Sequence, residues 1–195
     1  MLRRASSSVG RAAVRARGVH TEAKLKEMGI ELPTPKPPLG NFVMTVRTGN
    51  LLYTSGHLPI SLEGEMTTGK ASISSLIHIS VGQDVSEEEA QEAARKVAIQ
   101  LIASIKKDLG DLDRVSRIVK LVGFVNCTDG FTGQPKVVNG ASDLFAEVFG
   151  ERGVHSRSAV GTNALPMNVP VEIEAIVEFT EAKKGEDDWT VLKRP

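Results

Sequence analysis

Arg157 and Glu172 stand fifteen positions apart in the stretch from Ser156 to Thr180, where the chain concentrates its chemistry. A planar guanidinium grips a carboxylate through two parallel, charge-assisted hydrogen bonds. A carboxylate orients a water molecule and takes its proton. Each residue also has a plainer reading. Arg157 could pair with a strand glutamate, and Glu172 could join Glu174 and Glu178 on a solvated face. Upstream, Thr54-Ser55-Gly56-His57 closes an apolar run with small polar residues. Such a strand end suits the wall of a small-ligand pocket, because glycine lets another group approach the backbone.

Other chemistries find little support. His57, His78 and His155 are scattered, with no pair at metal-ligand spacing, and each reads as a surface or packed histidine. There is no Ser-His-Asp arrangement and no phosphate-cradling glycine loop. The single cysteine, Cys127, excludes an intrachain disulfide and a cysteine-based zinc site, and reads as a strand-end thiol. No metal and no cofactor are expected.

The positioning elements follow from periodicity. Val169, Val171, Ile173, Ala175, Val177 and Phe179 alternate with positions that include Glu172, Glu174 and Glu178, the pattern of a strand with one apolar face. Arg157 to Gly161 is expected to be its antiparallel or neighbouring partner, so that arginine and glutamate share one pocket. Gly40–Val46 and Leu51–Ser55 are predicted to form a hairpin about Arg47-Thr48-Gly49-Asn50. Ser86 and Glu89 form a capping box that opens a long helix, with Ala90, Ala94, Val97, Leu101 and Ile105 inward and Gly110 at its end. Val115–Asn126 holds the next strand. A second helix runs from about Pro135 to Phe149, with Val138, Ala141, Leu144 and Phe145 inward, and Gly150 stops it. Glu22–Glu31 suggests a short helix, followed by a proline-rich extended lead-in. The sum is an α+β domain with two helices on one face of a largely antiparallel or mixed sheet. Its other face is left uncovered, which suggests an oligomer.

Length and charge set the frame. A chain of 195 residues favours one domain with extensions. Residues 1–20 carry five arginines and no acid, the composition of a mitochondrial-type presequence; a plastid address is second. Without them 19 basic residues face 24 acidic ones, and a domain of net charge −5 is a poor general binder of nucleic acid. Only eight residues are aromatic, too few to suggest a stacking platform for single strands. No apolar run approaches the roughly 18 residues that a membrane span needs. The expected divisions are presequence 1–20, lead-in 21–38, domain 39–181 with an inserted loop at 71–80, and polar tail 182–195.

These residues resemble the RidA/YjgF family of enamine/imine deaminases, also called endoribonuclease L-PSP. The likeness spans roughly residues 39–180. Its most specific part is Arg157…Leu165-Pro166…Val171-Glu172-Ile173-Glu174-Ala175, and Gly49-Asn50…Thr54-Ser55-Gly56 and the helix holding Asn139 agree. GDLDRV, VNGASDLFAEVFG and HSRSAVG place it nearest a divergent branch. The resemblance implies a chorismate-mutase-like fold, a homotrimer whose sheets form a central barrel, and active sites at subunit interfaces. It implies that Arg157 holds the carboxylate of a small imine, enamine or keto acid and that Glu172 activates water, with Ser55, Gly56, Phe42 and Asn139 lining the pocket. Phe42 stands where the family usually has tyrosine, and Ala159 where cysteine is frequent. The activity implied is hydrolysis of 2-aminoacrylate-type imines; the alternatives are a non-catalytic metabolite-binding trimer and, further off, a ribonuclease.

Overall fold

The computed structural model describes residues 20–71 and 84–181. The expected presequence, apart from His20, the inserted loop beyond Ala71, and the tail 182–195 lie outside the described residues.

Five strands form one sheet: β1 (Thr45–Thr48), β2 (Leu51–Thr54), β5 (Val115–Asn126), β6 (Ser156–Thr162) and β7 (Val171–Phe179). Their spatial order is β1-β2-β7-β5-β6. A separate two-stranded ladder pairs β3 (Lys70–Ala71) in parallel with β4 (Asp84–Val85). Helices α2 (Glu87–Leu109) and α3 (Gln134–Phe149) supply the apolar cover, and a short α1 (Thr21–Glu27) packs beside them.

The last strand in sequence is the middle strand in space. β7 pairs antiparallel with β2 on one side and with β5 on the other. Its alternation does what the sequence predicts: Val171, Ile173, Ala175, Val177 and Phe179 are buried, and the residues between them are not. β6 departs from expectation. It pairs with β5, in parallel, and never touches the ladder of β7. The reason is connectivity. Parallel neighbours need a crossover, and α3 is the crossover that carries the chain from the end of β5 back to the start of β6.

The helices form as their ends dictate. At α2 the Ser86 hydroxyl accepts from Glu89 N at 3.1 Å, and Ser86 N donates to the Glu89 carboxylate at 2.7 Å. Gly110, at φ 80°, releases the chain. Ala90, Ala94, Val97, Leu101 and Ile105 are fully buried, together with Ala98 and Ile102, so the buried stripe is wider than expected. α3 has no side-chain cap but carries Pro135 in its first turn, where a missing N–H costs nothing. α1 is anchored by Thr21, whose backbone N–H and hydroxyl both donate to Asp113 Oδ1 at 2.8 and 2.6 Å, and Leu25 enters the core.

The hairpin is shorter than predicted at its start. β1 begins at Thr45, not Gly40, because Phe42 N turns back to Gly40 O at 2.9 Å. Beyond β6, the Leu165-Pro166 corner holds Met167 and Asn168 in left-handed conformations at φ 57° and 56°. The buried Asn126 amide grips that corner, donating to Val169 O at 3.1 Å and Asn168 Oδ1 at 3.2 Å. The sheet face away from the helices carries Glu172, Glu174 and Ile176 together with Val46, Tyr53 and Val160, which are 53%, 40% and 46% exposed.

Candidate active site

The strand end after β2 is built around His57, which is buried. Its backbone exchanges hydrogen bonds with Ile173 of β7, His57 N to Ile173 O at 2.9 Å and Ile173 N to His57 O at 3.2 Å. Its Nδ1 lies 2.8 Å from Ser55 O and must carry the proton, since a carbonyl only accepts. Nε2 therefore accepts from the Ser104 hydroxyl of α2 at 2.7 Å. Histidine here pins the Ser55-Gly56 backbone and faces the core, not a ligand.

Burial holds the His57 pKa below its ordinary value, only partly offset by the bond to Ser55. Above about pH 6.5 the ring is neutral folded or unfolded. Below it the unfolded chain takes a proton that the folded chain refuses, so stability falls by up to about 1.4 kcal/mol per pH unit until the lowered folded pKa is passed. Denaturant unfolding at successive pH values is expected to show this slope in the wild-type protein and a shallower one in His57→Gln.

Gly56 is held against Glu172. A Cβ at Gly56 would come within 2.7 Å of Glu172 Cδ and nearer still to Oε1. The carboxylate thus occupies the space that a side chain at position 56 would take. Its surroundings are half-buried, and this burial, with the like charge of Glu174 second, pushes its pKa above the usual value of 4.5. A carboxylate drawn toward neutrality is a better proton acceptor near physiological pH. Gly56→Ala has to move that carboxylate, and if the carboxylate serves in catalysis the displacement is expected to cost on the order of 100-fold in rate. Kinetics on the variant, with circular dichroism to confirm folding, is the check.

Ser55 precedes Gly56 and is tied to the segment that follows Phe42. Ser55 Oγ donates to Val43 O at 2.7 Å and Ser55 N to Met44 O at 2.9 Å, tying the segment after Phe42 to the strand end. The Phe42 ring is 52% exposed.

Arg157 lies elsewhere. It aligns with the buried Leu121 of β5, so its side chain is on the helix-covered face. There Nη1 donates to Ser142 Oγ at 2.9 Å and Nη2 to Pro135 O at 2.8 Å, both on α3. Two of the five guanidinium N–H groups are spent on fixing the group, and the others remain for a ligand. Pro135, Asn139 and Ser142 follow one another at helical spacing, which puts Asn139 on the α3 stripe that Arg157 faces. Ala159, two residues on along β6, faces the same side and packs against the core.

Glu172 aligns with Phe124, three positions along β5 from Leu121, and is on the opposite face. The two charged groups are separated by a whole strand, about 10 Å across the sheet and about 10 Å along it, and by the sheet itself. The expectation that they share one pocket on adjacent strands therefore does not hold within one chain. The structure brings Gly56 and Glu172 together, with Ser55 next to Gly56 in the chain, and sets Arg157 with α3 elsewhere; Phe42 lies one residue from Val43, the partner of Ser55.

Two residues of the second group escaped the sequence reading. The Ser142 hydroxyl lies 3.0 Å from His155 Nε2, and His155 Nδ1 lies 2.6 Å from Gly153 O. With Asp143, Ala146, Val154 and Arg157 they line a shallow depression of about 300 Å³. A signal was present: His155 precedes Arg157 by two, the spacing of neighbours on one strand face. Among the described residues, no three of His, Cys, Asp and Glu converge as a metal site, and no helix is long and apolar enough to cross a membrane.

Two helices on one face of a mixed five-stranded sheet make this an α+β protein, with a carboxylate at a glycine strand end and an arginine fixed on the crossover helix. The YjgF/chorismate mutase-like endoribonuclease family matches residues 22–179, and the chain belongs to that family. Protein TCP17 of Trypanosoma cruzi is 43% identical over 158 residues, 80% of this chain and 92% of that protein. The crystal structure of protein Atu1372 from Agrobacterium tumefaciens, of unknown function, is also 43% identical, covering 82% of this chain and 92% of that one with a TM-score of 0.71. A 2-iminobutanoate/2-iminopropanoate deaminase of Dermatophagoides farinae is 28% identical over 149 residues, 76% of this chain and 93% of that protein.

Proposed function

We propose that this protein hydrolyses short 2-imino acids, formed from 2-aminoacrylate-type enamines, to 2-keto acids and ammonium. The observation that carries this reading is the half-buried Glu172 carboxylate laid against Gly56, with its pKa raised. The relative named as an imine deaminase supports it. Arg157 holds the substrate carboxylate. Glu172 orients a water that attacks the imine carbon, and takes its proton as the C–O bond forms. Glu172 passes that proton to nitrogen, giving a carbinolamine. The hydroxyl proton then moves through Glu172 to nitrogen as the C–N bond breaks, so that the ketone forms and ammonia leaves, taking a proton from solvent to become ammonium. The imine carbon is already electrophilic, so the reaction asks for no metal or cofactor.

Because Arg157 and Glu172 of one chain lie on opposite sheet faces, a substrate touching both must bridge two copies. The exposed Val46, Tyr53 and Val160 on the Glu172 face support association through that face, in a homotrimer as the family resemblance implies. The arginine-rich residues 1–20 support delivery to the mitochondrial matrix.

The test is to generate 2-aminoacrylate with a pyridoxal-phosphate-dependent dehydratase and follow imine loss. Wild type is expected to accelerate the loss and Arg157→Ala to forfeit most of it, by about 100-fold in kcat/KM. Equal, slow loss with both proteins overturns the proposal. Saturable keto-acid binding without turnover would make this a metabolite-binding protein, and RNA cleavage that survives Arg157→Ala would point to a nuclease.

A further inference from the structure

The hydrogen-bonded run Gly153–His155–Ser142–Arg157 has no part in the proposed reaction beyond its last member. Its directions are fixed by chemistry. Gly153 O only accepts, so His155 Nδ1 is protonated across the 2.6 Å contact. Arg157 Nη1 only donates, so Ser142 Oγ accepts from it at 2.9 Å. With neutral His155, Nε2 is an acceptor, and the Ser142 hydrogen has one place to go: toward Nε2, 3.0 Å away. The hydroxyl beside the guanidinium is therefore turned away from any ligand of Arg157.

We propose that His155 and Ser142 are positioning residues that make carboxylate binding at Arg157 proton-dependent, through reversal of the Ser142 hydroxyl. When His155 is protonated, Nε2–H donates to Ser142 Oγ. That oxygen then accepts from both His155 and Arg157, and its own hydrogen must turn outward into the depression lined by Ser142, Val154 and Arg157. A third donor joins the free guanidinium N–H groups, and a second positive charge stands behind it. Both changes favour a bound carboxylate.

The surroundings set where this happens. His155 is faced by the Arg157 guanidinium from β6, Asp143 of α3 lines the same depression, and the His155 and Phe145 rings meet in a T-shaped contact, 6.1 Å between centroids. Burial and then Arg157 hold its pKa below 6.5, against the pull of the Gly153 carbonyl. Near pH 7 the hydroxyl is turned toward histidine, and acid turns it toward the ligand. By reciprocity, a bound carboxylate raises the pKa of His155.

This inference rests on Arg157 being a carboxylate site, and its test separates the two. Binding of pyruvate, the keto acid that 2-iminopropanoate would yield, is measured by calorimetry from about pH 7.5 down to about pH 4.5, two units below the ordinary histidine value, because the His155 pKa is lowered. In the wild-type protein Kd is expected to fall about 3- to 10-fold over that range. His155→Gln and Ser142→Ala should show a markedly smaller fall, and Ser142→Thr, which keeps a hydroxyl, should restore it. Any contribution from Glu172 is common to all four proteins and cancels in the comparison. Binding that needs Arg157 but has the same pH profile in wild type and His155→Gln overturns this inference alone. Pyruvate binding that is absent at every pH, or indifferent to Arg157→Ala, overturns the carboxylate site and this inference with it.

Discussion

Glu172→Gln is expected to lower imine hydrolysis by about 10²- to 10⁴-fold, the span of effects associated with removing a general base. The amide keeps the shape of the side chain, and so its packing on Gly56, but cannot take a proton from water. A loss in kcat with little change in KM would locate its contribution in the transition state. The pH profile carries a second signature. In the proposed reaction Glu172 acts as a carboxylate, so the wild-type rate is expected to drop as pH falls through its pKa, which is raised from 4.5. Burial is the larger cause of that rise and the neighbouring Glu174 the smaller. Glu174→Gln removes the like charge, so its acid limb is expected to move to lower pH, while Glu172→Gln should lose the limb altogether. An unchanged rate in Glu172→Gln would remove this residue from the chemistry and leave the family resemblance without its catalytic base.

Gly140→Ala is expected to destabilise the fold, against the intrinsic preference of helices. Alanine in place of glycine inside a helix ordinarily gains about 1 kcal/mol. At Gly140 of α3 a Cβ would come within 2.9 Å of the Gln91 carbonyl carbon and 3.1 Å of Arg95 N, and closer still to Gln91 O. These are backbone atoms of α2, so no side chain can swing aside. The helices must separate, although both are packed on the same core. Overpacking of this kind costs about 1–3 kcal/mol, at times more. With rigid backbone on the other side the upper end applies, and the net loss is about 2 kcal/mol. For a chain of this size that lowers Tm by about 4–8 °C at fixed protein concentration. A Tm equal to or above that of wild type would mean that α2 and α3 part easily, and that the glycine is not what sets their distance.

The parts of this molecule legible in sequence were those whose signal is local. The capping box at Ser86 and Glu89, the glycine stops at Gly110 and Gly150, and the alternation of β7 each depend on neighbours a few residues away, and each took its expected form. Strand order is not local. The β6 run Ser156–Thr162 has no alternating pattern, and six of its seven residues are small or polar, so nothing in it specifies which strand it joins. The parallel pairing to β5 follows from the intervening helix, and with it Arg157 moved to the covered face. The same holds for the polar partners. Ser142 is thirteen positions from His155 and reaches it only because α3 runs beside the start of β6. The carboxylate-on-glycine contact between Gly56 and Glu172 spans 116 positions, and no short motif contains both residues.

The central place of β7 bears on how the chain is made. Tyr53 of β2 waits for Ile176, and Val125 of β5 waits for Val171, so neither half of the sheet has its partner until nearly the whole domain has been synthesised. Contacts of such long sequence separation are slow to form, and a nascent chain that lacks them displays unpaired strand edges. α2 can form early, held by its own cap and by the alanines and valines it will bury. The sheet cannot. With its keystone strand arriving after the other four, the sheet stays open, and its two halves unjoined, until Val171–Phe179 is available.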